Sequence, residues 1–183
     1  MDSWVTRSKK TLLTFGKFLR VEQHEVELPD GRVIEDWPWL VGPDFVNVLA
    51  MTVDGRFLVF RQGKYGLQGE SLAPVGGYIE PGEDPLAAAR RELLEETGYQ
   101  ADEWIDLGHY LVDPNRGVGT GYLYLARGAV QVAEISGGDL EEQVLFTMNL
   151  DEVLEAALSG QFRSMAWIAN VALALLRLGA LHT

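Results

Sequence analysis

A chain of 183 residues with 47% apolar and 23% charged side chains suits one globular domain with a short accessory arm, and that balance argues against disorder. With no cysteine, it holds no disulfide framework, thiolate zinc site, iron–sulfur cluster or cysteine nucleophile. Fifteen basic against twenty-seven acidic residues give a formal charge of −12, which repels polynucleotides and anionic lipid, so neither nucleic acid nor a membrane surface is expected as a partner.

The opening MDSWVTRSKKTLLTFGKF lacks the apolar run and small-residue cleavage site of a secretory signal, and reads as the start of a cytoplasmic protein. Residues 12–28 carry β-formers with partial alternation. Pro29-Asp30-Gly31 then predicts a hairpin turn into residues 32–37, so residues 1–42 read as an antiparallel β arm ahead of a domain over 43–183. Phe45–Val53 and Arg56–Arg61 read as strands joined by an Asp54-Gly55 turn. Gln62–Pro74, Gly-rich and polar, reads as a loop, and Tyr122–Ala126 and Gln143–Met148 as further strands.

Three helices are predicted. Between Glu83 and Gly98, Asp84 caps the first, Pro85 suits its first turn and Gly98 its left-handed end. Asn149 and Glu152 resemble a capping box for LDEVLEAALS, stopped by Gly160. Ser164 opens the last helix and Gly179 closes it. Its apolar run, Met165 to Leu176, is well short of the roughly 20 residues needed to span a bilayer and reads as buried. Strands and helices intermingle, so the fold class is α+β, a mixed sheet covered by helices.

On the first helix Glu92, Glu95 and Glu96 fall at i, i+3 and i+4, neighbours on one face, while Leu86, Leu93 and Leu94 form an apolar stripe. Arg91 is spaced to pair with Glu95. Clustered carboxylate oxygens suit a hard divalent cation, although a solvated acidic face reads the same way on this helix alone.

The wider stretch Gly77 to Tyr99 resembles the Nudix box at every defined position: Gly77, five residues, Glu83, seven residues, Arg91-Glu92-Leu93, one residue, Glu95-Glu96, one residue, Gly98-Tyr99. Nine positions at set spacing carry the resemblance. It implies a Nudix-type α/β/α sandwich and Mg²⁺-dependent hydrolysis, with Mn²⁺ as a substitute, of a nucleoside diphosphate linked to another group. In this reading Gly76 and Gly77 let the backbone pass close to the metal. A carbonyl at Gly76 joins Glu92, Glu95 and Glu96 in holding it, and Arg91 steadies Glu95 or Glu83.

Phe18-Leu-Arg-Val-Glu22, Leu28-Pro-Asp-Gly31, Val46–Ala50, Phe60-Arg-Gln62 and Pro114, 15 residues past Tyr99, resemble the ADP-ribose pyrophosphatase branch. The resemblance implies a homodimer built through the arm, with ADP-ribose or a related nucleotide sugar as substrate. One departure is plain: Leu72-Ala73-Pro74-Val75-Gly76-Gly77 lacks the glutamate that those enzymes carry ahead of the box. Trp37, beside Trp39, is the candidate for stacking on adenine. Arg61 and Arg116 are candidate phosphate contacts, with surface ion pairs as the plainer role. The general base in this branch often lies on a loop outside the box. Glu142 and then Glu141, in the acidic run 137–143, are its candidates, with Glu95 next. His24, His109 and His182 show no metal-ligand spacing. A non-catalytic Nudix-fold module that binds a nucleotide as a regulator is the alternative; a box with every carboxylate present favours the enzyme.

Overall fold

The structure, a computed structural model, describes residues 3–136 and 142–179. In chain order its elements are β1 (Val5–Phe15), β2 (Leu19–Glu27), β3 (Val33–Val41), β4 (Phe45–Thr52), β5 (Phe57–Gly63), β6 (Glu70–Ala73), β7 (Val75–Tyr78), α1 (Pro85–Thr97), β8 (Tyr99–Gln100), β9 (Glu103–Asp113), β10 (Gly117–Gln131), β11 (Gln143–Met148), α2 (Leu150–Leu158) and α3 (Met165–Arg177). The chain divides into two compact units. One takes residues 1–44 and 110–121, the other 45–109 and 122–183.

In the first unit β1, β2 and β3 form an antiparallel meander. The expected turn at Gly31 is there, with φ +85°. The β-rich stretch 12–28, however, is not one strand. Gly16, at φ +51°, breaks it into the end of β1 and the whole of β2, and β1 reaches back to Val5. A lone glycine among strand formers gave no cluster of turn residues to mark that reversal. β1 stands at the sheet edge and is exposed along its whole length. β2 alternates, burying Glu22, His24 and Val26. His24 Nε2 lies 2.9 Å from the Glu22 carboxylate, and the ring stacks on Trp39.

The second unit is a sheet in the order β10-β4-β5-β11, with β7 paired to β4 and β6 to β5. Strand alternation decides its layers. Val46, Val48 and Ala50 of β4 and Leu58 and Phe60 of β5 pack with Ala88, Ala89 and Leu93 of α1. Leu49, Phe57 and Val59 instead pack with Val153 and Ala156 of α2 and Val171, Ala174 and Leu175 of α3. One helix therefore covers one face and two cover the other, the α/β/α sandwich expected. Among the described residues no helix is long and apolar enough to cross a membrane.

The helix ends follow the sequence closely. Asp84 Oδ1 accepts from the backbone N–H of Leu86 and Ala87 at 3.0 and 3.1 Å, and Gly98 closes α1 at φ +74°. Both halves of the Asn149–Glu152 capping box form, at 2.9 and 2.6 Å. Leu94, expected on the apolar stripe of α1, is only half-buried; Ala88, Ala89, Leu93 and Thr97 are the residues that sink. The Gln62–Pro74 segment departs from a loop: β5 runs on to Gly63, and Glu70–Ala73 returns against it as β6. β10 is much longer than its apolar segment 122–126, and β8 and β9 pair with it.

Candidate active site

β7 carries Gly76 and Gly77 along β4, and a short connection then delivers the chain to the N-terminus of α1. Across that connection Arg91 reaches back from the helix. Its Nε and Nη2 donate to the two oxygens of Glu83, both at 2.9 Å, and Nη2 also donates to the Tyr78 carbonyl at 3.1 Å. Its Nη1 donates to Glu92 at 2.7 Å and Glu95 at 3.3 Å. One guanidinium thus ties the end of β7, the connection and the acidic helix face together. The expected partners Glu83 and Glu95 are both engaged. Glu92 is an addition the sequence hid, since adjacent helix residues do not ordinarily face one another.

The charges respond. The paired hydrogen bonds from Arg91, helped by the Glu80 N–H, hold the Glu83 carboxyl down at about 2. The same contact with Glu83 raises Arg91 above the ordinary guanidinium value. Glu92 moves the other way: burial pushes its carboxyl up, against the pull of Arg91. A half-buried carboxylate of that kind is stabilised by further positive charge placed beside it.

The two glycines make room for these groups. A Cβ on Gly77 would collide with the Glu92 carboxyl, and the Gly76 N–H faces Glu96 Oε2 at 3.3 Å. Two carboxylates therefore converge on the Gly76–Gly77 backbone, an all-oxygen donor set with the chemistry a hard divalent cation takes. Among the described residues no three acidic or histidine side chains already stand together as a metal cluster, and Arg91 engages Glu92 and Glu95. The donor types and the glycine clearance fit a cation held by the Gly76 backbone, Glu92 and Glu96, with Glu95 on the outer side of the helix face.

The remaining candidates are more dispersed. Arg61, on β5, pairs with Glu70 at 3.9 Å and lies 5.3 Å from the Phe146 ring centre, with its side chain 55% exposed. Glu142 is exposed just ahead of β11, and Glu141 lies outside the described residues. In the first unit Trp37 donates its indole N–H to the Asn115 carbonyl at 2.9 Å and meets Trp4 edge-on. Arg116 pairs with Asp113 at 3.4 Å. Asn47, level with Gly76 in the β4–β7 ladder and buried, was passed over; its signal was a lone amide inside the apolar run Val46–Ala50.

Residues 43–168 match the NUDIX domain family. A methanol dehydrogenase activator of Bacillus methanolicus is 30% identical over 141 residues, covering 76% of each chain. An ADP-ribose pyrophosphatase of Bacillus subtilis (strain 168) is 32% identical over 99 residues, 54% of this chain and 53% of that one. A crystal structure of an ADP compounds hydrolase superposes with a TM-score of 0.80 at 20% identity, covering 98% of this chain and 96% of the other, which shows the fold. The chain belongs to the Nudix family. With its box complete, it is a Nudix pyrophosphatase.

The Glu83–Arg91 pair sets a test in acid. Glu83 has its carboxyl pKa depressed from 4.5 to about 2, so its pairing stabilises the fold fully above pH 5 and is lost as pH falls through that window. Glu83→Gln should be less stable than wild type at pH 7, and the gap should narrow steadily between pH 5 and 3 in urea denaturation. A gap independent of pH would show that the pair does not carry charge.

Proposed function

We propose that this pyrophosphatase hydrolyses a nucleoside diphosphate sugar, ADP-ribose first among them, in a Mg²⁺-dependent reaction that Mn²⁺ also supports. The observation that carries the reading is the convergence of Glu92 and Glu96 on the side-chain-free Gly76–Gly77 backbone, held in place by Arg91. The similarity to an ADP-ribose pyrophosphatase supports the choice of substrate. Water attacks one phosphorus of the pyrophosphate and the bridging P–O bond breaks, so that ADP-ribose gives AMP and ribose 5-phosphate. When bound, the divalent ion neutralises the pyrophosphate and polarises the attacking water.

The chain's own groups have separate tasks. The Gly76 backbone, Glu92 and Glu96 would hold the ion, with Glu95 as a further donor from the outer side of the helix face. Arg91 keeps the carboxylates gathered, offsetting the mutual repulsion of like charges one turn apart. Glu142 takes the proton of the attacking water, with Glu141 and then Glu95 next in line. Arg61 offers a cation to the phosphates. The complete set of carboxylates favours this enzyme over a nucleotide-binding regulator without catalysis.

We further propose that the protein is a homodimer joined through the arm. β1 is an edge strand with Leu12, Leu13 and Phe15 exposed, and Phe18 is exposed in the turn after it; an unpaired edge of this kind pairs readily with a second copy.

Three measurements test these assignments. Glu92→Gln and Glu96→Gln should each lower kcat on ADP-ribose by about a hundredfold or more with the fold intact by circular dichroism, since single groups that hold transition-state charge contribute on that scale. Near-normal turnover at saturating Mg²⁺ in both would remove the metal assignment. Glu142→Gln should lower kcat by about 10²–10⁴-fold with KM and Mg²⁺ affinity little changed; wild-type kcat would move the base to Glu141 or Glu95. Light scattering at micromolar protein should give twice the chain mass, and a strictly monomeric value would refute the arm-mediated dimer.

A further inference from the structure

Gly76 and Gly77 have no side chains to lock them by packing, so the groups on either side fix where their backbone runs. Alternation along β7 turns Gly77 toward α1, where the Glu92 carboxyl fills the space, and Gly76 toward the opposite face. On that face the space is filled by the Val46 carbonyl and by the Asn47 side chain, whose Oδ1 lies 2.5 Å from where a Gly76 Cβ would stand. Asn47 is 4% exposed, and its neighbours Val46, Val48, Leu49 and Ala50 are all apolar and fully buried. An amide in such a run costs stability unless its hydrogen-bonding groups find partners.

Asn47 shares its face with Leu49, which packs against Val171, Ala174 and Leu175 of α3. The same helix carries Asn170, fully buried, whose Nδ2 donates to the Tyr124 carbonyl of β10 at 3.0 Å. β10 is the strand beside β4. Thr120 N–H donates to the Asp44 carboxylate just before β4, and Val53 N–H to the Ala129 carbonyl just after it. The two contacts run the strands in the same direction and bring Asn47 alongside Leu123 and Tyr124. Two buried side-chain atoms there have no partner among the described residues: the Nδ2 of Asn47 and the Oδ1 of Asn170. One is a donor and the other an acceptor.

We propose that Asn47 and Asn170 are joined through one buried water into an amide link between β4 and α3, and that Asn47 is thereby a positioning residue for the Gly76 backbone. Buried waters characteristically bridge polar groups that the protein leaves unpaired. The link forms the floor beneath Gly76 while Glu92 and Glu96 close on it from the helix side. The inference rests on the divalent-cation reading of that site.

Binding of Mn²⁺, followed by the electron paramagnetic resonance of the free ion, tests the link without substrate. Asn47→Leu and Asn170→Leu should each weaken Mn²⁺ binding by about tenfold or more, the range found when the supports of metal ligands are removed. Because they break one link, the double variant should bind no more weakly than the worse single one. Leu49→Ala, on the same strand and face, should lower Tm yet keep wild-type Mn²⁺ affinity. Asn47→Ala serves if the leucine variant does not fold. Wild-type affinity in the asparagine variants, additive losses in the double variant, or an equal loss in Leu49→Ala would each overturn the link. A wild-type protein that binds no Mn²⁺ would instead overturn the cation reading itself.

Discussion

A single guanidinium organises the acidic end of this molecule. Arg91 lies between Glu83, Glu92 and Glu95 and also reaches the Tyr78 carbonyl, so one side chain closes the connection from β7 to α1 and restrains the helix face. Without it, Glu92, Glu95 and Glu96, clustered on successive positions of one helix face, would repel one another, and the connection would lose its anchor. The planar fork of an arginine suits this task, since its paired N–H groups match the two oxygens of Glu83 as a lysine ammonium could not. The depressed carboxyl of Glu83 and the raised one of Glu92 are two outcomes of the same contact set, the first dominated by hydrogen bonds and the second by burial.

The sandwich presents this face rigidly. Alternate residues of β4 and β5 divide between α1 on one side and α2 with α3 on the other, so the strand that pairs with β7 is packed from both faces. Against that fixed strand the two glycines bring bare backbone to the carboxylates. Any side chain at Gly76 or Gly77 would strike Asn47 or Glu92, so the glycines permit a close approach that no other residue allows.

The site was more legible than the sheet around it. Helix spacing set Arg91, Glu92, Glu95 and Glu96 near one another, because a helix converts sequence intervals into positions on a face; the resemblance to the Nudix box added Glu83, and the caps at Asp84, Gly98 and Asn149 act locally. β6 and β7 were hidden in a stretch rich in glycine and proline, since their pairing is made by backbone groups against β4 and β5 and their residues resemble those of a loop. The reversal at Gly16 and the length of β10 depend on partners distant in sequence. Asn47 stood out only once its neighbour across the ladder was known. Arg61 and Arg116 both engage carboxylates, at Glu70 and Asp113.

The proposed metal-dependent cleavage of a nucleoside diphosphate sugar is tested directly by product analysis. The pure protein would be incubated with ADP-ribose, other nucleotide sugars, NADH and dinucleoside polyphosphates, each in Mg²⁺ and in EDTA. ADP-ribose should yield AMP and ribose 5-phosphate in Mg²⁺, faster than the other compounds are cleaved, and nothing in EDTA. Cleavage of none of them in Mg²⁺, or undiminished cleavage in EDTA, would contradict the account.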